Sequence, residues 1–202
     1  MTVRELISEA VSVAVAGLAK SRGFRKKGLT FRRKHGQTTQ VINFQLSRGN
    51  TAAEGDFYVN IGISFDAVTT LGGDTTGLLM IAGEAVHFGA RLEELAPETP
   101  AQWEVTQQTD ARALGEQLGA TLAPVIDRLE AIESPACMLR EFSLDEGTQR
   151  ILRAELEYVG GNFNAALAEL KLVAAEFADR QGMSIESLIE RHRLHELKPL
   201  LS

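Results

Sequence analysis

Two runs, Gln40-Val41-Ile42-Asn43-Phe44-Gln45-Leu46-Ser47 and Phe57-Tyr58-Val59-Asn60-Ile61-Gly62-Ile63-Ser64-Phe65, decide how the chain folds. Side chains of an extended strand alternate between faces. One face of the first run then carries Ile42, Phe44 and Leu46, and one face of the second carries Phe57, Val59, Ile61, Ile63 and Phe65. The opposite face carries Asn43, Gln45, Tyr58, Asn60 and Ser64. The pattern predicts two strands with an apolar side for a core and an amide-rich side turned away from it. The intervening loop, residues 48–55, is small and polar, which suits a direct antiparallel return.

Upstream, Thr2-Val3-Arg4-Glu5 has the form of a capping box, and Leu6, Ile7, Ala10, Val11, Ala14 and Leu18 recur at helical spacing. An amphipathic helix over 3–20, stopped at Gly23, should cover the apolar side of the strands. Gly28-Leu29-Thr30-Phe31-Arg32-Arg33-Lys34 reads as a short strand, with Leu29 and Phe31 on one face and Thr30 and Arg32 on the other. Downstream, residues 66–83 form a long connection, with Gly72-Gly73-Asp74 and Gly77, and no assignable pattern. Residues 85–92 alternate as one strand, Val86, Phe88 and Ala90 against His87, Gly89 and Arg91, and Gln102-Trp103-Glu104-Val105-Thr106 reads as a last strand. A helix begins at Thr109 or Asp110 and runs to about Leu122, where Pro124 should kink or restart it. Ser134-Pro135 opens a short helix, and 149–159, 162–178 and 184–197 read as three more, separated by Gly160-Gly161 and Gly182. The expectation is an α+β fold. Its antiparallel sheet of about four to five strands is covered on one face by helices over residues 1–142, with a helical C-terminal extension, 143–202, packed on it.

Net charge is −6, but its distribution is uneven. Between Ala10 and Ala53 there is no Asp or Glu, while nine Lys and Arg residues stand there, which leaves −15 for the remainder. Arg25, Lys26, Lys27, Arg32, Arg33 and Lys34 form the basic patch, a local positive field for an anionic partner or for the chain's own acidic helices. The single cysteine, Cys137, allows no intrachain disulfide and fits a reducing compartment. No run approaches the roughly 18 apolar residues of a membrane span. Ser8, Glu9 and Ser12 interrupt the apolar stretch near the N-terminus, and Glu5 stands where a signal peptide would be basic. These features predict a cytoplasmic protein with no membrane partner.

Several phrases, taken in order, resemble a known family. They are Gly23-Phe24-Arg25-Lys26-Lys27-Gly28-Leu29-Thr30-Phe31-Arg32-Arg33, Val41-Ile42-Asn43-Phe44-Gln45, Val59-Asn60-Ile61-Gly62-Ile63, His87-Phe88-Gly89-Ala90-Arg91-Leu92 and Trp103. Over roughly residues 1–140 the chain resembles the bacterial domain-of-unknown-function family 4304. A lone Trp103 stands where that family's pattern has a tryptophan pair. The resemblance implies a compact α+β domain and carries no established activity.

The candidate binding surface is the polar sheet face: Asn43, Gln45, Asn60, His87 and Arg91, with Trp103 nearby. Same-face neighbours in a strand stand about 7 Å apart. Amides, an imidazole and a guanidinium at that spacing can hold a carboxylate, a phosphate, a base edge or a peptide backbone. Catalytic residues are not assigned. His87 has no acidic neighbour in sequence to orient it, and no Gly-x-Ser-x-Gly elbow is present. His192 and His195, with Glu190 or Glu196, are the closest approach to a metal-ligand set and do not amount to one, so neither metal nor cofactor is expected. The expected function is a non-catalytic intracellular interaction protein for an anionic or peptide-like partner, an immunity-type protein being one case. The alternatives are a nucleic-acid-binding accessory protein using the basic run, and a hydrolase or transferase centred on His87 and Arg91.

Overall fold

A computed structural model of the chain describes residues 1–73, 79–179 and 183–201. It opens with α1 (Val3–Ser21), whose capping box is formed: Thr2 N–H donates to Glu5 Oε2 at 2.8 Å and Glu5 N–H to Thr2 Oγ1 at 3.3 Å. Gly23, at φ +78°, turns the chain into a meander of β1 (Arg25–Lys27), β2 (Thr30–His35), β3 (Thr38–Leu46) and β4 (Glu54–Phe65). There follow α2 (Asp66–Leu71), a hairpin of β5 (Leu79–Ile81) and β6 (Glu84–Val86), β7 (Phe88–Arg91), α3 (Leu92–Leu95) and β8 (Trp103–Thr106). The remainder is helical: α4 (Ala111–Glu130), α5 (Pro135–Glu141), α6 (Gly147–Val159), α7 (Phe163–Glu176), α8 (Ile185–Arg191) and a 3₁₀ helix over His195–Leu201.

The main sheet has six antiparallel strands in the order β1-β2-β3-β4-β7, with β8 also on β4. β4 is long enough to pair twice on one edge. Its first half takes β8 (Phe57↔Trp103) and its second half takes β7 (Asn60↔Arg91). The apolar side behaves as the alternation requires: Ile42, Phe44, Phe57, Val59, Ile61, Ile63 and Phe65 are all buried. Against them lie Leu6, Ile7, Ala10, Val11 and Ala14 of α1 and Leu118, Leu122, Ile126 and Leu129 of α4. The α1–α4 crossing is close at Gly115, where a Cβ would stand 2.6 Å from Ala10 O. Thr38 and Gln40 share the core side, and Gln40 Nε2 donates to Leu129 O (2.8 Å) in the last turn of α4 and to Ile132 O (3.1 Å) just past its end.

The fold is therefore α+β with a helical C-terminal part, as the periodicity predicts. Four local expectations differ. The sheet gains β1, a strand too polar to show alternation. Residues 85–92 do not form one strand but break at His87: its N–H donates to Ile63 O (3.0 Å) and its Nδ1 accepts from Phe65 N–H (2.9 Å). That double tie to the end of β4 turns the chain, so Val86 packs with Val41 and Ile81 on one side of the sheet while Phe88 enters the main core on the other. Pro124 does not interrupt α4, because buried Leu122, Val125, Ile126 and Leu129 anchor both sides of it. The last helix is shorter than its sequence pattern, ending at Arg191, and Arg193 at φ +55° separates it from the 3₁₀ helix. Asp74, Gly77 and Gly182 lie outside the described residues.

A second apolar cluster joins Ala154, Ala166, Leu167, Leu170, Val173, Leu188, Ile189, Leu194 and Leu197. α6 serves both clusters, giving Leu152 and Leu156 to the sheet core and Ala154 to the helical one. Among the described residues no helix is long and apolar enough to cross a membrane.

Candidate functional site

The strand registers align Lys27 with Thr30, Thr30 with Asn43, Asn43 with Asn60, and Asn60 with Arg91. These five residues form one row across β1, β2, β3, β4 and β7, about 19 Å long at the usual strand spacing. Hydrogen bonds run along it. Asn60 Nδ2 donates to Asn43 Oδ1 (3.3 Å) and to Gln45 Oε1 (3.1 Å), and Asn43 Nδ2 donates to Thr30 Oγ1 (2.9 Å). Asn43 and Asn60 are each only 8% exposed, so these bonds meet the need of buried amides for partners. At the far end the Arg91 guanidinium lies 4.3 Å from the Tyr58 ring centroid, and its Nη1 is buried with no hydrogen-bond partner among the described residues.

The neighbouring row is Arg25, Arg32, Val41, Gly62 and Gly89. The β5–β6 hairpin roofs its inner end. Ile81 and Val86 pack with Val41, and a Cβ on Gly62 would come within 2.9 Å of both Ile81 Cδ1 and Val86 Cγ1. The polar side of the sheet is thus half roofed, with the amide row beside the roof.

At the hairpin, period-2 alternation divides the basic patch. Arg25, Lys27, Arg32 and Lys34 share the side of the amides, while Lys26 and Arg33 turn toward α1 and α4. A hollow of about 510 Å³ is lined by Gly23, Arg25, Lys26, Lys27, Thr30, Arg32, Arg33 and Lys34. Lys34 pairs with Asp66, whereas Arg25 and Lys27 form no ion pair among the described residues. Arg33 is buried over the Phe24 ring (4.6 Å) and donates to Gln40 Oε1 and Arg22 O, both at 2.9 Å. Burial lowers its pKa from the ordinary guanidinium value, with the Glu130 carboxylate acting the other way. Arg22 reaches both Asp127 and Glu130. Arg22 and Arg33 are therefore neutralised by α4, whereas among the described residues Arg25 and Lys27 on the amide side are not.

The remaining candidates stand elsewhere. His87 closes the end of β4, its Nδ1 occupied, its ring against Phe65 (6.2 Å between centroids) and its pKa lowered by burial. Trp103 is on the core side, 3% exposed and stacked on Phe57, because its partner in register is a core residue. His192 caps α8 and bonds Glu155 Oε1 at 2.8 Å, while His195 lies past the bend at Arg193, so the two histidines do not share a helix face. Among the described residues no group of three or more His, Cys, Asp or Glu side chains could hold a metal ion. Cys137 is half buried. A hydrogen bond from the Ser134 hydroxyl (3.2 Å) lowers its thiol pKa. Missing from the sequence reading are the joining role of Thr30 and the stacking of Tyr58 on Arg91. Alternation places both on the right side, but only the register puts them in contact.

The phrases that carry the family resemblance fall on the hairpin, on β3, β4 and β7, and at the start of β8. The model of a domain of unknown function (DUF4304) matches residues 15–128, more than half of the chain. The chain belongs to DUF4304. No curated protein and no solved structure matches it. The DUF4304 segment ends inside α4, so the basic hollow and the amide row lie within the family region and the C-terminal helices lie outside it.

Proposed function

We propose that this DUF4304 chain is a non-catalytic binding module of the cytoplasm whose polar sheet face and basic hairpin take an anionic, peptide-like partner. An immunity-type protein that masks a toxin is one such case. The observation that carries this reading is that two features separate in the sequence lie together on one side of the sheet: Thr30, which lines the hollow with Arg25, Lys27 and Arg32, also accepts a hydrogen bond from Asn43 of the row that ends at Arg91. Guanidinium and ammonium groups suit carboxylates, and the exposed amide of Gln45 beside the row suits a peptide backbone. A reaction centred on His87 and Arg91 has less support, since the two stand roughly 13 Å apart along the strand direction and Phe65 N–H occupies the imidazole Nδ1. The nucleic-acid reading draws on the same cations, but Phe24 and Phe31, the aromatics interleaved with them, are buried and offer no stacking surface.

The test is fluorescence anisotropy with labelled polyglutamate and with a random single-stranded oligonucleotide, at low and high salt. Polyglutamate is expected to bind, less tightly as salt rises, and at least about tenfold more weakly to the double variant Arg25→Ala/Lys27→Ala. Undiminished binding by that variant would remove the site, and tighter binding of the oligonucleotide would move the assignment to nucleic acid.

A further inference from the structure

β1 is the open edge of the main sheet, and all three of its residues are exposed. The phase of its hydrogen bonding follows from β3. Phe44 N–H donates to Leu29 O at 2.9 Å, so Leu29 and Phe31 turn their backbone groups toward β3, and Thr30 and Arg32 turn theirs toward β1. Within β1, Arg25 and Lys27 therefore bond to β2, and the N–H and C=O of Lys26 point away from the sheet. A short, cationic edge resists pairing with uncharged or cationic strands. It does not resist an acidic one.

The two sides of that edge are alike in charge. On the amide side lies the 510 Å³ hollow with Arg25, Lys27 and Arg32. On the α1 side lies a second hollow, about 630 Å³, lined by Arg4, Ser8, Lys26, Gly28 and Leu29. A strand added beside β1 would send alternate side chains to opposite sides, and so into one hollow and then the other. We propose that β1 accepts an extended acidic segment of a partner protein by strand addition. Lys26 makes the backbone hydrogen bonds, and acidic side chains at successive positions meet the cations of the two hollows in turn. This rests on the binding-module reading above and specifies how the partner is held. A polynucleotide matches it less well, because the edge presents a carbonyl acceptor beside its N–H, and a phosphodiester backbone has no donor for it.

The probe is a labelled peptide of about eight residues made only of glutamate and valine, with glutamine replacing glutamate in the control. Amide hydrogen exchange is followed by NMR on the wild-type protein with and without the peptide. The expected result is at least about tenfold slower exchange at Lys26 N–H on binding, no such binding by the glutamine peptide, and weaker binding to Lys26→Pro than to Lys26→Gln. Glutamine at 26 removes the charge, whereas proline also removes the outward N–H without touching the bonds to β2. Binding that is lost in Arg25→Ala/Lys27→Ala but leaves Lys26 exchange unchanged would overturn strand addition and leave the binding surface in place. Failure of the glutamate peptide to bind at all would overturn both. The exchange measurement stands even if the proline variant does not fold.

Discussion

His87 shows how one side chain can matter to the fold where its sequence position suggests chemistry. Its Nδ1 accepts the Phe65 N–H, which only an unprotonated nitrogen can do, and burial pushes its pKa below the ordinary histidine value against the opposing pull of the Glu155 carboxylate. The folded state thus favours the neutral ring. A histidine with a lowered folded pKa stabilises fully above the unfolded value of about 6.5, and that contribution is lost as pH falls through the folded value. The expected outcome is that the gap in urea midpoint between the wild type and His87→Gln narrows as the pH is brought from 8 toward 5. A gap that stays constant over that range would mean that His87 does not titrate against folding.

The β5–β6 hairpin is the element that decides how much of the polar side is available. It sits on Gly62 and Gly89, where a Cβ would come within 2.9 Å of Ile81 and Val86 or 2.7 Å of Leu79 Cδ1. Gly62→Val should lift the hairpin while leaving the opposite, core side of β4 unchanged. It should lower stability by about 1–3 kcal/mol, the usual cost of overpacking. Urea denaturation reads that loss, and faster amide exchange confined to β5 and β6 locates it; equal acceleration in β3 would show that the hairpin is integral to the sheet. This roof was not legible in the sequence. Leu79, Ile81 and Val86 carry too short a pattern, and Val86 alternates with Phe88 as if they shared a side. The break at His87 depends on a hydrogen bond to a residue 22 positions away in the chain. What was legible, the two long strands and the side on which Asn43, Gln45, Asn60 and Arg91 emerge, follows from period 2 alone. The join between amides and cations needed the register, and period 2 does not supply register. Trp103 misled for the same reason: its side of the sheet is set by pairing with Phe57.

For the whole molecule the open matter is whether the sheet and the C-terminal helices unfold as one body, and α6 supplies the argument. Leu152 and Leu156 on this helix pack into the sheet core, and Ala154 packs into the second cluster. Glu155 of the same helix is buried and bonds His192 at the end of α8. Loosening the second cluster should therefore loosen α6, and with it part of the sheet core. Leu170 belongs only to the second cluster and is fully buried, so Leu170→Ala should cost about 2–5 kcal/mol through a cavity at a site remote from the sheet. Trp103 is the single tryptophan, buried against Phe57, and so reports the sheet alone. Far-ultraviolet circular dichroism reports mostly the helices. If α6 couples the two clusters, the urea curves from both probes coincide in the wild type and fall to the same lower midpoint in Leu170→Ala. A fall in the dichroism curve with the tryptophan curve unmoved would divide the chain into two independently unfolding parts and deny α6 its coupling role.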